Sequence, residues 1–193
     1  ADYNTIMTDV EKLVGQLVEQ ATITQALTAK AATAQTMNAK RMATQATTKQ
    51  TTATKPANSK RLSLVYQGKS IDFTPPFPRV SLDLLWKKHL GLNIAEITSD
   101  DQLKQFAQRK GYSTENATWE QLFNQIFLNE IEPHFDQQPF FLIDFPARIS
   151  PLCKPREDAP HSTQRFELYI AGIEIGNGNT EETDSAKVQT IFE

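Results

Sequence analysis

The first hydrophobic pattern in the chain is that of an amphipathic helix. Residues 6–18 carry six apolar side chains at intervals of three and four, the spacing of one helical face: Ile6, Val10, Leu13, Val14, Leu17 and Val18. Asn4 or Thr5 can cap the start of this helix. We therefore expect the helix to pack its apolar stripe on another element.

The composition changes after Glu19, because residues 20–59 are rich in Thr, Ala, Gln and Lys and contain no acidic or aromatic residue. Such a stretch cannot bury enough apolar surface to offset the entropy lost on ordering it. We interpret residues 21–59 as a low-complexity linker inserted into a domain that spans residues 1–193. A basic arm for nucleic-acid phosphates is the alternative, which the absence of stacking aromatic residues disfavours.

The remaining patterns predict two hairpins with helices between them. Alternating residues surround turns at Gly68 and at Ala171-Gly172. Capping and terminating residues delimit three helices: Ser81 to Gly91, Thr98 or Ser99 to Gly111, and Thr118 to Pro133. Residues 140–145 read as a central strand buried on both faces, and a last helix begins at Thr183 or Asp184. We expect an α+β fold with a mainly antiparallel sheet flanked by helices.

The second hairpin brings two carboxylates together. A two-residue turn at Ala171-Gly172 predicts four pairs: Ile170 with Ile173, Tyr169 with Glu174, Leu168 with Ile175, and Glu167 with Gly176. Glu167, Tyr169 and Glu174 then share one face, and the other face carries core residues: Phe166, Leu168, Ile170, Ile173 and Ile175. Two carboxylates at this diagonal spacing suit Mg²⁺ bound with a nucleotide phosphate. A solvated face with two glutamates is the alternative.

Small and polar residues follow this hairpin directly. Gly176 and Gly178 permit close approach of a ligand, which Asn177 and Glu181 could contact; a plain turn explains the same residues. Cys153 lies between prolines and next to a lysine, so a lowered thiol pKa and a passive loop role both stay open. The three histidines lie on separate predicted elements, which favours surface or capping roles.

Composition and charge narrow the class of protein. The 193 residues contain 20 Lys and Arg against 23 Asp and Glu, which excludes a protein that coats nucleic acid through overall basic charge. One cysteine excludes an internal disulfide framework, and three histidines are too few for a structural zinc site. No apolar run approaches about 18 residues and no signal peptide is recognisable. We expect a cytoplasmic protein without membrane association.

Two segments resemble the catalytic domain of class II lysyl-tRNA synthetases. They read FFLIDFPARISPLCK and QRFELYIAGIEIGNGNTEETD, and they are also similar to the shorter paralogues that attach a lysine-type amino acid to elongation factor P. Upstream, LVYQGKSIDFTPPFPRVSLDLLWKKHLG and ADYNTIMTDVEKLV look like the hairpin and helices of the same domain. The resemblance covers residues 1–20 and 62–193.

The resemblance implies a fold and a chemistry. The fold would be an antiparallel sheet flanked by helices, and the reaction would condense an amino acid with ATP and transfer the acyl group to tRNA. Glu167 and Glu174 then look like the carboxylates that hold Mg²⁺ on ATP, while Asn177 and Glu181 look like contacts to the amino acid. A buried Glu181 carboxylate would neutralise a lysine ammonium and reject uncharged substrates. Asn179 stands where the family usually has an aromatic residue, which points to a smaller, more polar or lysine-like substrate.

The resemblance also places the chain between the second and third signature motifs of the family. No catalytic residue is therefore assignable within residues 1–193, and we expect this fragment alone to be inactive. The family implies a homodimer for the full-length protein. SPL at 150–152 favours the synthetase, whereas LFNQIFLNEIEPHF at 122–135 favours the elongation factor P ligase. A non-catalytic binding relative is a third interpretation.

Overall fold

A computed structural model describes residues 2–41, 61–97 and 99–192, with residues 29–41 described by their backbone alone. The helices are α1 (Tyr3–Arg41), α2 (Leu82–Leu90), α3 (Asp100–Arg109), α4 (Trp119–Ile126) and α5 (Ser185–Phe192). The strands are β1 (Ser63–Tyr66), β2 (Lys69–Asp72), β3 (Arg79–Ser81), β4 (Phe140–Ile143), β5 (Arg165–Ile170) and β6 (Ile173–Asn179). These elements confirm the α+β class.

The chain divides into two compact units, one of residues 1–11 and 76–193 and the other of residues 12–75. The first unit contains a four-stranded sheet in the order β3-β4-β5-β6. Strand β3 runs parallel to β4, and the other neighbours are antiparallel, as the sequence predicted for the sheet as a whole. Strand β4 is central and its first three residues are buried, which confirms a buried central strand, although it ends at Ile143 and not at residue 145.

Both faces of this sheet are covered. Leu142 and Tyr169 belong to a core cluster that they share with helices α2, α3 and α4. Within that cluster the ring of Phe123 stacks on Trp86 at 5.2 Å and on Trp119 at 5.3 Å. On the opposite face Phe141 and Phe166 pack edge to face at 5.3 Å.

Two of the three predicted N-terminal helix caps form, at Ser99 and Thr118, whereas the predicted cap at Ser81 does not. Ser99 and Thr118 each form a capping box with the glutamine three residues later. Ser81 precedes α2 without a side-chain hydrogen bond to the helix, and Gly91 ends α2 at φ 68°. The start of α4 therefore depends on its cap more than the start of α2 does.

Thr118→Ala should lower the free energy of unfolding by about 1 kcal/mol, because the backbone N–H of Gln121 loses the Thr118 hydroxyl that accepts its hydrogen bond. Ser81→Ala is the matched control and should change it little, since Ser81 makes no capping bond. Urea unfolding of both variants checks the pair. Equal losses would contradict the assignment of the caps.

The second unit combines α1 from Lys12 onward with the β1–β2 hairpin. The hairpin turns at Gln67 and Gly68, both at positive φ, which confirms the predicted turn at Gly68. Gly15 on α1 is buried, and a Cβ there would lie 3.6 Å from Cδ1 of Leu62. Ile71 and Phe73 complete the buried side of the unit.

Helix α1 runs to Arg41, well past the predicted end of the amphipathic pattern at Val18. No glycine or proline occurs between Gly15 and Pro56, and alanine-rich sequence has high helix propensity. Threonine hydroxyls on the exposed turns donate to carbonyls four residues back, as Thr28 does to Thr24 at 2.9 Å. Residues 42–60 lie outside the described residues, and the insertion at 21–59 stays a prediction.

Candidate functional site

The β5–β6 hairpin forms the predicted turn. Ala171 and Gly172 have φ values of 57° and 75°, as a tight two-residue hairpin turn requires. Strand pairing begins with Ile170 opposite Ile173 and Tyr169 opposite Glu174. The first two pairs of the predicted register are thus confirmed.

A β-bulge changes the register beyond these pairs. Leu168 lies opposite Gly176 and Glu167 opposite Asn177, so the predicted pairs Leu168–Ile175 and Glu167–Gly176 are wrong. Ile175 is the extra residue that β6 inserts at this point, and it lies between the two correctly paired stretches.

Phe166 supplies a physical reason for the bulge. Without the extra residue, Asn177 would lie opposite the buried Phe166 and would point its amide into the core. With the extra residue, Gly178 lies opposite Phe166, and a Cβ at Gly178 would lie 2.8 Å from Cζ of Phe166. The ring of Phe166 occupies the space that the side chain of any other residue would need.

The bulge also gathers the polar residues on one face. Glu174 and Asn177 are three residues apart, so regular alternation would put them on opposite faces. In the bulged strand they share a face, and Nδ2 of Asn177 donates to Oε1 of Glu174 at 3.1 Å. Glu167 lies opposite Asn177 on that face, so the two carboxylates share it as the sequence predicted.

Glu167 is the buried member of the pair, with a relative exposure of 7%. Nη2 of Arg165 donates to its Oε1 at 2.9 Å, and the hydroxyl of Tyr169 donates to its Oε2 at 3.0 Å. Burial, and next the negative charge of Glu174, raise the pKa of Glu167 above its usual value of 4.5. A cation placed between the two carboxylates would relieve both effects.

Arg165 is a site residue that the pattern analysis did not single out. Its guanidinium bridges Glu167 and the Oγ of Ser150, at 3.1 Å from the latter, and lies 4.8 Å from the centre of the Phe145 ring. These contacts hold the Glu167 carboxylate in one orientation. The i, i+2 spacing of Arg165 and Glu167 was the available signal, since such residues share a strand face.

The prediction that one face of the β5–β6 hairpin carries only core residues is partly correct. Phe166 and Leu168 are buried, but Ile173 and Ile175 are 52% and 56% exposed. The physical reason is that β6 is an edge strand among the described residues, so its side chains have fewer neighbours. Tyr169 is buried on the carboxylate face, where it stacks on Phe140 at 5.4 Å.

The predicted amino-acid contacts lie along the same strand and its continuation. Asn177 is exposed beside Glu174, whereas Glu181 follows β6 in a short antiparallel bridge with Cys153. Glu181 is exposed, so the burial expected for this carboxylate is not present in the described residues. Burial raises the pKa of the Cys153 thiol, which agrees with the passive loop role and not with a reactive thiolate.

Glu167 and Glu174 are the carboxylates that this face offers to a divalent cation. Among the described residues, no three His, Cys, Asp or Glu side chains form a cluster that could hold a metal by themselves. Two carboxylates fit Mg²⁺ when its other ligands are water and phosphate oxygens, the usual arrangement for nucleotide-bound Mg²⁺. Glu167 and Glu174 are therefore compatible with a metal that arrives with a nucleotide.

The raised pKa of Glu167 predicts how stability depends on pH. The folded state binds this proton more tightly than the unfolded state, so the free energy of unfolding falls as the pH rises above 4.5. Urea unfolding near pH 4.5 and near pH 7.5 should show wild type losing stability relative to Glu167→Gln, which has no ionisable group there. If the free energy of unfolding of wild type instead rises relative to that of Glu167→Gln as the pH rises, the ion pair with Arg165 dominates.

Two comparisons with known proteins identify the family of the chain. The sequence model of the family "tRNA synthetases class II (D, K and N)" matches residues 1–193. Lysine–tRNA ligase of Chloroflexus aurantiacus is 39% identical over 123 residues, which are 63% of this chain and 25% of that protein. The enzyme of the same name from Moorella thermoacetica is 34% identical over 131 residues, 67% of this chain and 27% of that protein.

The chain thus spans about a quarter of the length of the curated relatives that it matches. No described helix combines the length and the apolarity needed to cross a lipid bilayer. The family model covers every predicted site residue, including both carboxylates of the bulged hairpin. This chain belongs to the class II tRNA synthetases of the D, K and N group.

Proposed function

We propose that the full-length protein containing this chain activates a lysine-type amino acid with ATP and transfers it to tRNA. The amino-acid carboxylate attacks the α-phosphate of ATP, giving an aminoacyl adenylate and pyrophosphate. A tRNA hydroxyl then takes the acyl group and releases AMP. The observation that carries the proposal is the bulged hairpin, which places Glu167 and Glu174 on one face of the sheet.

Glu167 and Glu174 are proposed to hold ATP through Mg²⁺, which supplies neutralisation of phosphate charge when bound. Arg165 and Tyr169 keep Glu167 fixed, so its carboxylate needs little reorganisation when the nucleotide binds. The chain's contribution is positioning and electrostatics, and no proton transfer by a side chain is required. The raised pKa of Glu167 supports a site that is completed by a cation.

Asn177 and Glu181 are proposed to contact the amino acid. Both follow the bulge: Asn177 lies opposite Glu167 on β6, and Glu181 follows two residues after the end of that strand. A carboxylate facing the substrate ammonium favours lysine over neutral amino acids. Asn179 lies opposite Arg165, and its short polar side chain supports a substrate that is smaller, more polar or a variant of lysine.

Glu181→Gln tests the amino-acid assignment. In lysine-dependent ATP–pyrophosphate exchange by the full-length protein, this variant should raise the KM for lysine by about 10-fold or more, since one charge-assisted bond is lost. The KM for ATP should stay within about 2-fold. Glu182→Gln, at the neighbouring position, is the matched control. Equal changes in both KM values would contradict the assignment.

The elongation factor P ligases differ from the synthetases in the acceptor, the molecule that receives the amino acid. The resemblance of residues 122–135 favours a protein lysine on elongation factor P, whereas the relatives reported above carry the name lysine–tRNA ligase. Supplying each acceptor with radiolabelled lysine separates the two functions. We propose tRNA, with a cytoplasmic homodimer as the working form. If neither lysine nor a lysine analogue supports ATP–pyrophosphate exchange, the result favours the non-catalytic binding relative.

A further inference from the structure

Helix α1 has two apolar faces within the second unit, so the single packed stripe predicted for residues 6–18 is wrong at Leu13 and Leu17, which are exposed. Gly15 and Val18 are buried, and a Cβ at Gly15 would lie 3.6 Å from Leu62, the residue before β1. At about 3.6 residues per turn, a second apolar set lies on the opposite side of the helix. This set, called the leucine stripe here, consists of Leu13, Leu17, Ile23 and Leu27, which are 54%, 60%, 47% and 61% exposed.

The leucine stripe is self-complementary. Laid antiparallel on a second copy about a two-fold axis at Gln20, Leu13 lies opposite Leu27 and Leu17 opposite Ile23. Each apolar residue of one copy therefore meets an apolar residue of the other, as an isologous interface requires. Gln16 and Thr24 form a further pair in this register.

The charge pattern agrees with pairing of two copies. Glu19 is the only charged residue between positions 13 and 28, and it lies roughly a quarter turn away from the centre of the stripe. No charge lies on the stripe itself, and the Glu19 side chains of the two copies flank the axis on one side of the pair. The polar residue on the axis is Gln20, whose amide can both donate to and accept from its symmetry mate.

The area is that of a small specific interface. Burial of about 100 Å² from each apolar side chain, with smaller amounts from Gln16, Gln20 and Thr24, gives about 600 Å² per copy and about 1,200 Å² in all. This total reaches the lower end of the range for specific protein interfaces.

We propose that the leucine stripe is a homotypic interface through which two copies of this protein pair antiparallel about a two-fold axis at Gln20. The stripe is remote in sequence from the β5–β6 hairpin, and this pairing is independent of the proposed adenylation. An interface elsewhere in the full-length protein would combine with it to give a larger assembly. Failure of the pairing leaves the proposed function standing.

Cysteine crosslinking tests the register directly. Gln20→Cys and Gln25→Cys are introduced separately into the full-length protein, with Cys153→Ser and other accessible cysteines removed. Gln25 is an exposed glutamine on the far side of the same helix and is the matched control. A short bismaleimide should link most of the Gln20→Cys protein into covalent dimers and little of the Gln25→Cys protein. Equal crosslinking of both, or none at position 20, would overturn the proposal.

Sedimentation of full-length variants provides the second measurement. Leu17→Glu should weaken self-association by about 10-fold or more and halve the assembly mass at micromolar concentration, since pairing would place two carboxylates, one from each copy, in an apolar interface. Gln25→Glu introduces the same residue outside the stripe and should leave the mass unchanged. Unchanged helicity by circular dichroism shows that Leu17→Glu folds. An unchanged mass in folded Leu17→Glu would show that another segment covers the stripe.

Discussion

Replacing Glu174 by alanine in the full-length protein should reduce lysine-dependent ATP–pyrophosphate exchange by about 100-fold or more, because a metal-bound phosphate loses one of its two protein carboxylates. Glu174 is exposed, and its Oε1 accepts a hydrogen bond from the side-chain amide of Asn177. Loss of the side chain should therefore affect binding of the nucleotide and not the fold. Steady-state exchange at saturating lysine measures the effect.

Glu120→Ala is the control for this experiment. Glu120 is an exposed glutamate in the first turn of α4, on the helical layer and outside the candidate site. Its removal should leave exchange within about 2-fold of wild type, since surface substitutions usually change stability little. Similar exchange in Glu174→Ala and Glu120→Ala would remove Glu174 from the site.

Gly178→Ala should lower the free energy of unfolding by about 1–3 kcal/mol, because its Cβ would overlap the buried ring of Phe166. Two ring atoms lie within 2.9 Å of that position, and the ring is held edge to face against Phe141. The ring cannot move away without disturbing the centre of the sheet. Urea unfolding at neutral pH measures the loss.

Gly176→Ala is the matched control on the same strand and the same face. A Cβ at Gly176 has no heavy atom within 4 Å, so this variant should be neutral or slightly stabilising. The two glycines differ only in what lies opposite: Leu168 at one and Phe166 at the other. Equal losses at both positions would contradict the bulged register.

Local signals were sufficient to predict much of the fold. The turns at Gly68 and Ala171-Gly172 and the caps at Ser99 and Thr118 each depend on a few adjacent residues, and the structure has them where the sequence predicted. The central strand at 140–145 was equally recognisable, because a short apolar run bounded by polar residues is typical of a buried strand.

Features that depend on distant residues could not be predicted in the same way. The segment Ile173-Glu174-Ile175-Gly176 alternates as a regular strand does, and the reason for its bulge is the ring of Phe166 on the neighbouring strand. The parallel pairing of β3 with β4 joins residues about 60 positions apart and leaves no local pattern. The exposure of Ile173 and Ile175 likewise depends on the position of β6 at the sheet edge.

The candidate site likewise combines features that local sequence predicts with features that depend on distant residues. Alternation correctly predicted that Glu167 and Glu174 share a face. The bulge changes the partner of Glu167, but Tyr169, which shares a face with Glu167, stays paired with Glu174. The place of Asn177 beside Glu174 required the bulge, and regular alternation gave it the wrong face. Their roles toward nucleotide and amino acid stay predictions.

Calorimetric titration of ATP into the full-length protein, with and without Mg²⁺, tests the central claim most directly. If Glu167 and Glu174 share a nucleotide-bound cation, Mg²⁺ should tighten ATP binding by about 10-fold or more in wild type and by less than about 2-fold in Glu174→Gln. The same tightening by Mg²⁺ in both proteins would contradict the claim.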